Sequence, residues 1–296
     1  MVRTAVVFGA SGQLGMELVH ELRIRRYEVT GYERGQVDIT NPAAVERALA
    51  NSAADVVFNA AAYNQVDVAE KEPQAAFLVN GLAVRNLAVT CRQIDARLVH
   101  FSTDYVFDGR ARHPYAEDDP THPLSAYGVS KLAGELYAQA YLDRVLVVRT
   151  CGVFGPGGLT TARGNFVELM LRLAAGGQAI RVVEDHVASP TYAPLLASRT
   201  IDLVDRDLSG LFHIGGGIPI SWFQFARLIF ELAELDPLLL ATNEREYRTA
   251  ARRPQFSALS NAKIERLGLA PLPPLRETLG AYLMERERRT AGKISV

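Results

Sequence analysis

Tyr127 and Lys131 stand four residues apart in the run Ser125-Ala126-Tyr127-Gly128-Val129-Ser130-Lys131-Leu132-Ala133-Gly134-Glu135. On a helix that spacing stacks them on one face, a phenol beside an ammonium. Tyrosine in water titrates near about 10, and a neighbouring positive charge favours the phenolate. Tyr127 is therefore expected to give or take a proton near neutral pH. Upstream, residues 98–107 read as an apolar strand that turns polar at its carboxyl end, through Ser102, Thr103, Asp104 and Tyr105. Ligands bind at that end of strands in open α/β sheets. Thr103 thus joins Tyr127 and Lys131 as a candidate catalytic residue. A Tyr-x-x-x-Lys pair alone is commonplace on helix surfaces, so its weight rests on the elements that position it.

Those elements begin with Thr4-Ala5-Val6-Val7-Phe8, a strand leading into Gly9-Ala10-Ser11-Gly12-Gln13-Leu14-Gly15 and an amphipathic helix through about Arg25. Glycines let backbone approach a pyrophosphate whose charge meets a helix amino terminus. The spacing is G-x-x-G-x-x-G, and its place after the first strand supports a dinucleotide site at Gly9, Ser11, Gly12, Gln13, Leu14 and Gly15. After the second strand, Glu28-Val29-Thr30-Gly31-Tyr32, come Glu33 and Arg34. An acid there accepts the ribose 2′-hydroxyl of NAD, whereas an arginine pairs with the 2′-phosphate of NADP. NADPH is expected to be preferred, with NADH also serving. Asp38-Ile39 follow as further cofactor candidates, then Asn41-Pro42 as helix cap and first helical residue.

Residues 55–59 form a buried strand running into Ala60-Ala61-Ala62-Tyr63, where small side chains admit either a cofactor or tight strand–helix packing. A helix over about 74–94, strands over 97–101 and 145–149, and the Tyr127 helix between them continue the alternation. It predicts an α/β fold, a Rossmann-type doubly wound parallel sheet. Residues 1–150 are expected to form the NAD(P)-binding domain. Residues 151–296 are expected to form mainly a smaller substrate lobe, with some segments returning to the first domain. Gly152, Gly155, Pro156, Gly157, Gly158 and Gly164 read as a flexible stretch before a helix over 165–175. Ser189-Pro190-Thr191 precedes another helix, residues 211–214 form a short strand ending in Gly215-Gly216-Gly217, and Ser221 caps a helix through Glu234. Arg252-Arg253 reads as an anion contact or as solvated surface.

Composition narrows the function. A net charge of -1 on 296 residues gives no reason to expect nucleic acid or an anionic membrane. No apolar run of about 18 residues occurs, and the start is too short an apolar run for a signal peptide, so a cytoplasmic protein is expected. Cys91 and Cys151 lie in apolar contexts and read as buried free thiols; the six histidines show no metal spacing, so no metal is expected.

Taken in order, the glycine loop, Asp38-Ile39-Thr40, Asn59-Ala60-Ala61-Ala62-Tyr63, Val66-Asp67-x-Ala69-Glu70, the run from Phe101 to Gly109, Pro123 to Lys131, Ser189-Pro190-Thr191 and Arg253-Pro254 resemble the extended short-chain dehydrogenase/reductases. Within them the chain is most similar to the dTDP-4-dehydrorhamnose reductase family. The resemblance implies Thr103, Tyr127 and Lys131 as the catalytic set, with Tyr127 and Lys131 also on the cofactor, where Lys131 holds the nicotinamide ribose; Thr103, Asp104, Tyr105, Tyr127 and Arg253 toward a nucleotide-sugar substrate; and reduction of a 4-keto deoxyhexose to dTDP-rhamnose. Related dehydratases carry Thr-Asp-Glu where this chain has Thr103-Asp104-Tyr105, which favours plain reduction. Many relatives have Trp at Gly152, so a wider sugar pocket is expected unless Phe154 or Tyr105 fills it. Two other readings stay open: a non-catalytic NADP-binding protein like the methionine adenosyltransferase regulatory subunit, and reduction or epimerisation of another nucleotide sugar. The oligomeric state is open, a homodimer included.

Overall fold

A computed structural model describes residues 3–161 and 164–294. The chain runs β1 (Thr4–Phe8), α1 (Gln13–Ile24), β2 (Glu28–Tyr32), α2 (Pro42–Ala50), β3 (Val56–Asn59), α3 (Val66–Ala69), α4 (Pro73–Phe77), α5 (Ala83–Gln93), β4 (Arg97–Thr103), α6 (Ala126–Tyr141) and β5 (Val145–Thr150). It continues through α7 (Phe166–Ala175), β6 (Ile180–Val183), β7 (Val187–Ala188), α8 (Ala193–Asp205), β8 (Gly210–His213), β9 (Ile220–Ser221), α9 (Trp222–Leu232), β10 (Leu239–Thr242), α10 (Ala262–Arg266) and α11 (Leu275–Ile294).

Six strands form one parallel sheet in the order β2-β1-β3-β4-β5-β8. Their residues are apolar on both faces because helices cover both. Ala5, Val7, Phe58, Val99 and Val148 pack on one side with Leu18 of α1 and Leu196 of α8. Val6, Phe8, Val57, Leu98 and Val147 pack on the other with Val45 of α2 and Leu87 of α5. A separate apolar cluster joins Val167, Met170, Phe225, Ile229, Leu279 and Tyr282 to Phe154. Two short sheets, β10-β6 and β7-β9, complete the carboxyl-terminal half. Caps fall where the side chains ask for them: Asn41 accepts from Ala44, and Ser221 with Gln224 forms a capping box.

Two local features differ from the sequence expectation. The helix expected over 74–94 is broken by a π turn at Leu78–Leu82 between α4 and α5. The extra residue turns buried Asn80 inward, where its amide accepts from Tyr63 N–H at 2.9 Å and donates to the Tyr63 carbonyl at 2.9 Å and to Ser130 Oγ at 3.0 Å. The glycine stretch after Thr150 is packed rather than loose: residues 155–158 are buried, and Gln13 reaches across to donate to the Val153 carbonyl at 2.8 Å and accept from Asn165 Nδ2 at 2.8 Å. Likewise Gly215 of the glycine run after β8 is tied to Asn261 Oδ1 at 2.9 Å.

Candidate active site

Thr103 ends β4, and its hydroxyl caps the short turn that follows by accepting from Tyr105 N–H at 3.2 Å. Ser125 caps α6 by accepting from Gly128 N–H, and Glu70 takes the Ala126 N–H at 2.8 Å. These two anchors bring the first turn of α6 against the end of β4. Tyr127 consequently lies close enough to Thr103 for that hydroxyl to influence its phenol, and meets the Tyr105 ring edge-on, centroids 5.9 Å apart. Lys131, one turn on, is 3% exposed, and Glu135, one turn further, is 1% exposed. One face of α6 thus carries Tyr127, Lys131 and Glu135 inward. Glu135 holds Arg149 of β5 through bonds of 2.9, 3.2 and 2.7 Å, which ties the helix to the sheet.

The electrostatics correct one expectation. Lys131 does not pull Tyr127 toward neutrality: its ammonium donates to the Phe101 carbonyl at 2.6 Å. Desolvation pushes Tyr127 up to about 12, with the Thr103 hydroxyl opposing and the Asp104 charge adding. Tyr127 is therefore a phenol across the physiological range, a proton donor in waiting rather than a base. Burial brings Lys131 down to about 8 against the pull of Glu135. Asp104, also buried, is raised to about 7 by desolvation, with hydrogen bonds from Ser257 and Thr103 opposing. His100, buried beside Lys131, is held neutral by desolvation and that charge.

A groove of about 430 Å³ lies at the carboxyl ends of β1, β2 and β3. Its walls include the sequence candidates Gly9, Ser11, Gly12, Gln13, Leu14, Arg34, Asp38, Ile39, Ala60, Ala61, Ala62 and Tyr63. Gly9 has φ +78, and a Cβ there would lie 2.6 Å from Ala61 N, so only glycine lets the two loops meet. Of the candidates around the first two strands, Gly15 and Glu33 are not among its walls. Gly15 lies inside α1 against the Gly9 carbonyl, a packing position. Glu33 borders a different hollow with Gly31, Gln36 and Arg23, whereas Arg34 faces the groove, 3.7 Å from Asp38. Val37, Asn64, Gln65, Val79 and Val153 also line the groove and went unread in the sequence, since apolar and amide side chains carry no motif. The trio of Thr103, Tyr127 and Lys131 is likewise outside the groove's walls; Asn80 joins the two regions, bonding Tyr63 on one side and Ser130 of α6 on the other.

Arg253 lies near Tyr105 and is held by Asp67 at 2.7 Å with further bonds to Thr249 and Ala251. That pairing holds the Asp67 carboxyl below its ordinary range and accounts for the aspartate of the Val66-Asp67 motif. Arg252 is exposed. Gly152 adopts φ +53, and the space where its side chain would start is not empty: Trp222 Cη2 stands 3.1 Å from it and Pro190 Cα 3.1 Å. Phe154 does not fill it, being fully buried in the carboxyl-terminal cluster. Cys91 and Cys151 are free and buried, the latter donating to the Ser189 carbonyl at 2.9 Å. Among the described residues no group of three or more His, Cys, Asp or Glu is placed to hold a metal ion, and no helix is long and apolar enough to cross a membrane.

A glycine loop on a parallel sheet, a groove along it and a Thr-Tyr-Lys set at the strand end define a Rossmann-type reductase of the short-chain dehydrogenase/reductase class. Residues 3–288 match the family described as RmlD substrate binding domain. The chain is 40% identical over 283 residues to dTDP-4-dehydrorhamnose reductase of Mycolicibacterium smegmatis, covering 94% of this chain and 84% of that protein. It is 39% identical to the spore coat polysaccharide biosynthesis protein SpsK of Bacillus subtilis, covering 95% and 97% respectively. The crystal structure of dTDP-4-dehydrorhamnose reductase from Bacillus anthracis in complex with NADP superposes with a TM-score of 0.91 at 33% identity, over 96% of this chain and 100% of that one. The chain belongs to the dTDP-4-dehydrorhamnose reductase family of NAD(P)H-dependent oxidoreductases.

Proposed function

We infer that this protein reduces the C4 keto group of a nucleotide-linked deoxyhexose, with dTDP-4-dehydro-β-L-rhamnose as substrate and dTDP-β-L-rhamnose as product. The observation that carries the reading is Tyr127, kept as a phenol, set beside Thr103 and joined through Ser130 and Asn80 to the groove. The groove suits a dinucleotide: a volume of about 430 Å³ lies within the ordinary range of ligand sites, and the glycine loop from Gly9 to Leu14 lines it at the start of α1. When bound there, the reduced dinucleotide supplies the hydride that reduces the C4 carbon. Tyr127 gives its proton to the C4 oxygen, turning carbonyl to hydroxyl, and is left as phenolate until solvent restores the proton. The Thr103 hydroxyl stabilises the negative charge growing on that oxygen, while Lys131, held on the Phe101 carbonyl, anchors this face of α6 to the end of β4. Arg34 in the groove, with Glu33 turned to the other hollow, supports NADPH over NADH. Asp104, Tyr105 and Arg253 would border the sugar and its pyrophosphate, with residues 151–296 forming mainly the substrate side. Cytoplasmic location suits such a biosynthetic role.

The test is to supply NADPH with dTDP-4-dehydrorhamnose and a panel of other 4-keto nucleotide sugars. Keto-sugar-dependent NADPH oxidation is expected, and Tyr127→Phe should bind NADPH normally while losing about 10²–10⁴-fold in turnover. A protein that binds NADPH and reduces nothing in the panel would instead be a dinucleotide-binding regulator.

A further inference from the structure

Asp104 is an unusual buried carboxylate. It is 3% exposed, and no Lys, Arg or His forms an ion pair with it among the described residues. Its partners are two hydroxyls: Thr103 Oγ1 donates to Oδ1 at 3.0 Å and Ser257 Oγ donates to Oδ2 at 2.5 Å. Burying a carboxylate without a countercharge is costly, and an asparagine would satisfy both hydroxyls without that cost. Ser257 comes from far along the chain and is 3% exposed. Its segment is clamped on both sides: Ser257 N–H donates to the Val187 carbonyl at 2.8 Å, Val187 N–H to Gln255 at 2.7 Å, and Phe256 N–H to Gly109 at 3.2 Å. The serine is therefore a fixed post against which the carboxylate is held.

The proton count in this cluster has a catalytic consequence. Thr103 has one hydroxyl proton. While Asp104 is ionised, that proton is committed to Oδ1, and Thr103 is left as an acceptor toward Tyr105 N–H. Only when Asp104 takes up a proton and donates in turn is the Thr103 hydroxyl free to turn to the substrate oxygen. We propose that Ser257 is a positioning residue of the reductase, which holds Asp104 with Oδ1 on Thr103 and sets the pH at which the Thr103 proton becomes available to the C4 oxygen. This rests on the reductase reading for its kinetic consequence. The titratable groups facing Asp104 are Tyr105, Tyr127 and Cys151, all pushed above their ordinary values by burial, so none changes charge near neutrality. Lys131 titrates nearest to it, but its ammonium is on the Phe101 carbonyl and Ser257 does not touch it.

Ser257→Ala removes a hydrogen bond to the charged form, so Asp104 should titrate at higher pH, by about one unit. In the full-length protein, the high-pH limb of kcat should move up by that amount, the plateau should fall severalfold, and the KM for NADPH should not change. Ser257→Thr, which keeps the hydroxyl, should restore the limb, and Asp104→Asn should abolish it. An unmoved limb in Ser257→Ala overturns the proposal. A second readout needs no turnover: the carboxylate infrared band of Asp104, isolated as wild type minus Asp104→Asn, titrated with and without the Ser257 hydroxyl. A band titration that shifts upward in Ser257→Ala supports the coupling even if the wild type reduces no keto sugar, which would remove only the reductase reading. A band titration that stays in place removes the coupling itself.

Discussion

Two carboxylates are buried in this region, Glu135 on α6 and Asp104 just after β4, and their surroundings could hardly differ more. Glu135 is 1% exposed and is gripped by the Arg149 guanidinium, itself 3% exposed and lying over the Phe107 ring at 5.1 Å. Asp104 has only hydroxyls and backbone for company. At Glu135 the charge is matched where it lies, and the pair binds helix to sheet. At Asp104 the charge is unmatched, and the group sits at the edge of ionisation near neutral pH. The same residue class thus serves architecture where it is paired and chemistry where it is not.

The largest effect is expected from breaking the paired side. Arg149→Met leaves Glu135 buried without its partner, and urea denaturation should report a loss of about 3–5 kcal/mol. Adding Glu135→Leu should recover much of it, because removing both charges also removes their burial cost. A single variant within about 1 kcal/mol of wild type would show that Glu135 takes up a proton or water instead.

A smaller effect of opposite sign is expected at the unpaired side. Asp104 has a folded-state pKa raised to about 7 from an unfolded value near 3.9, so its contribution to stability is full below about pH 4 and is lost as pH rises through 7. Asp104→Asn removes that dependence. Its melting temperature relative to wild type should rise from pH 5 to pH 8, even as turnover falls. A flat difference across that range would mean that Asp104 is not desolvated as its burial indicates.

The smallest effect on stability is expected at an exposed pair. Arg34 and Asp38 lie 3.7 Å apart with Arg34 86% exposed, so Arg34→Ala should change stability by no more than about 1 kcal/mol. Its effect should appear in the cofactor: a raised KM for NADPH with that for NADH little changed. Equal changes in both would place the 2′-phosphate elsewhere.

The sheet was legible because buried parallel strands are continuous apolar runs and each is separated from the next by a helical pattern. The glycine loop and the Tyr127 spacing were legible because close backbone approach and helix periodicity leave marks on neighbouring residues. What escaped is what the fold alone decides. Spacing places Lys131 beside Tyr127 but does not reveal the Phe101 carbonyl that captures the ammonium. Nothing in the local pattern marks the extra residue of the π turn that aims Asn80. Ser257 meets Asp104 across 153 positions, a separation that no motif spans. Glycines near 155 read as loose because composition cannot see Gln13 packed against them.

The last strand of the main sheet carries a consequence for how the protein is made. β8, residues 210–213, bonds to β5, residues 145–150, along its length. A nascent chain, or a fragment, that stops short of Gly210 leaves the Val-Leu-Val-Val row of β5 as an open edge with unpaired backbone donors and acceptors. Such an edge is a template for pairing with other chains. On the ribosome the amino-terminal half therefore stays adhesive until the later segment has emerged, and a truncation at residue 150, tidy as it looks on paper, should yield aggregates.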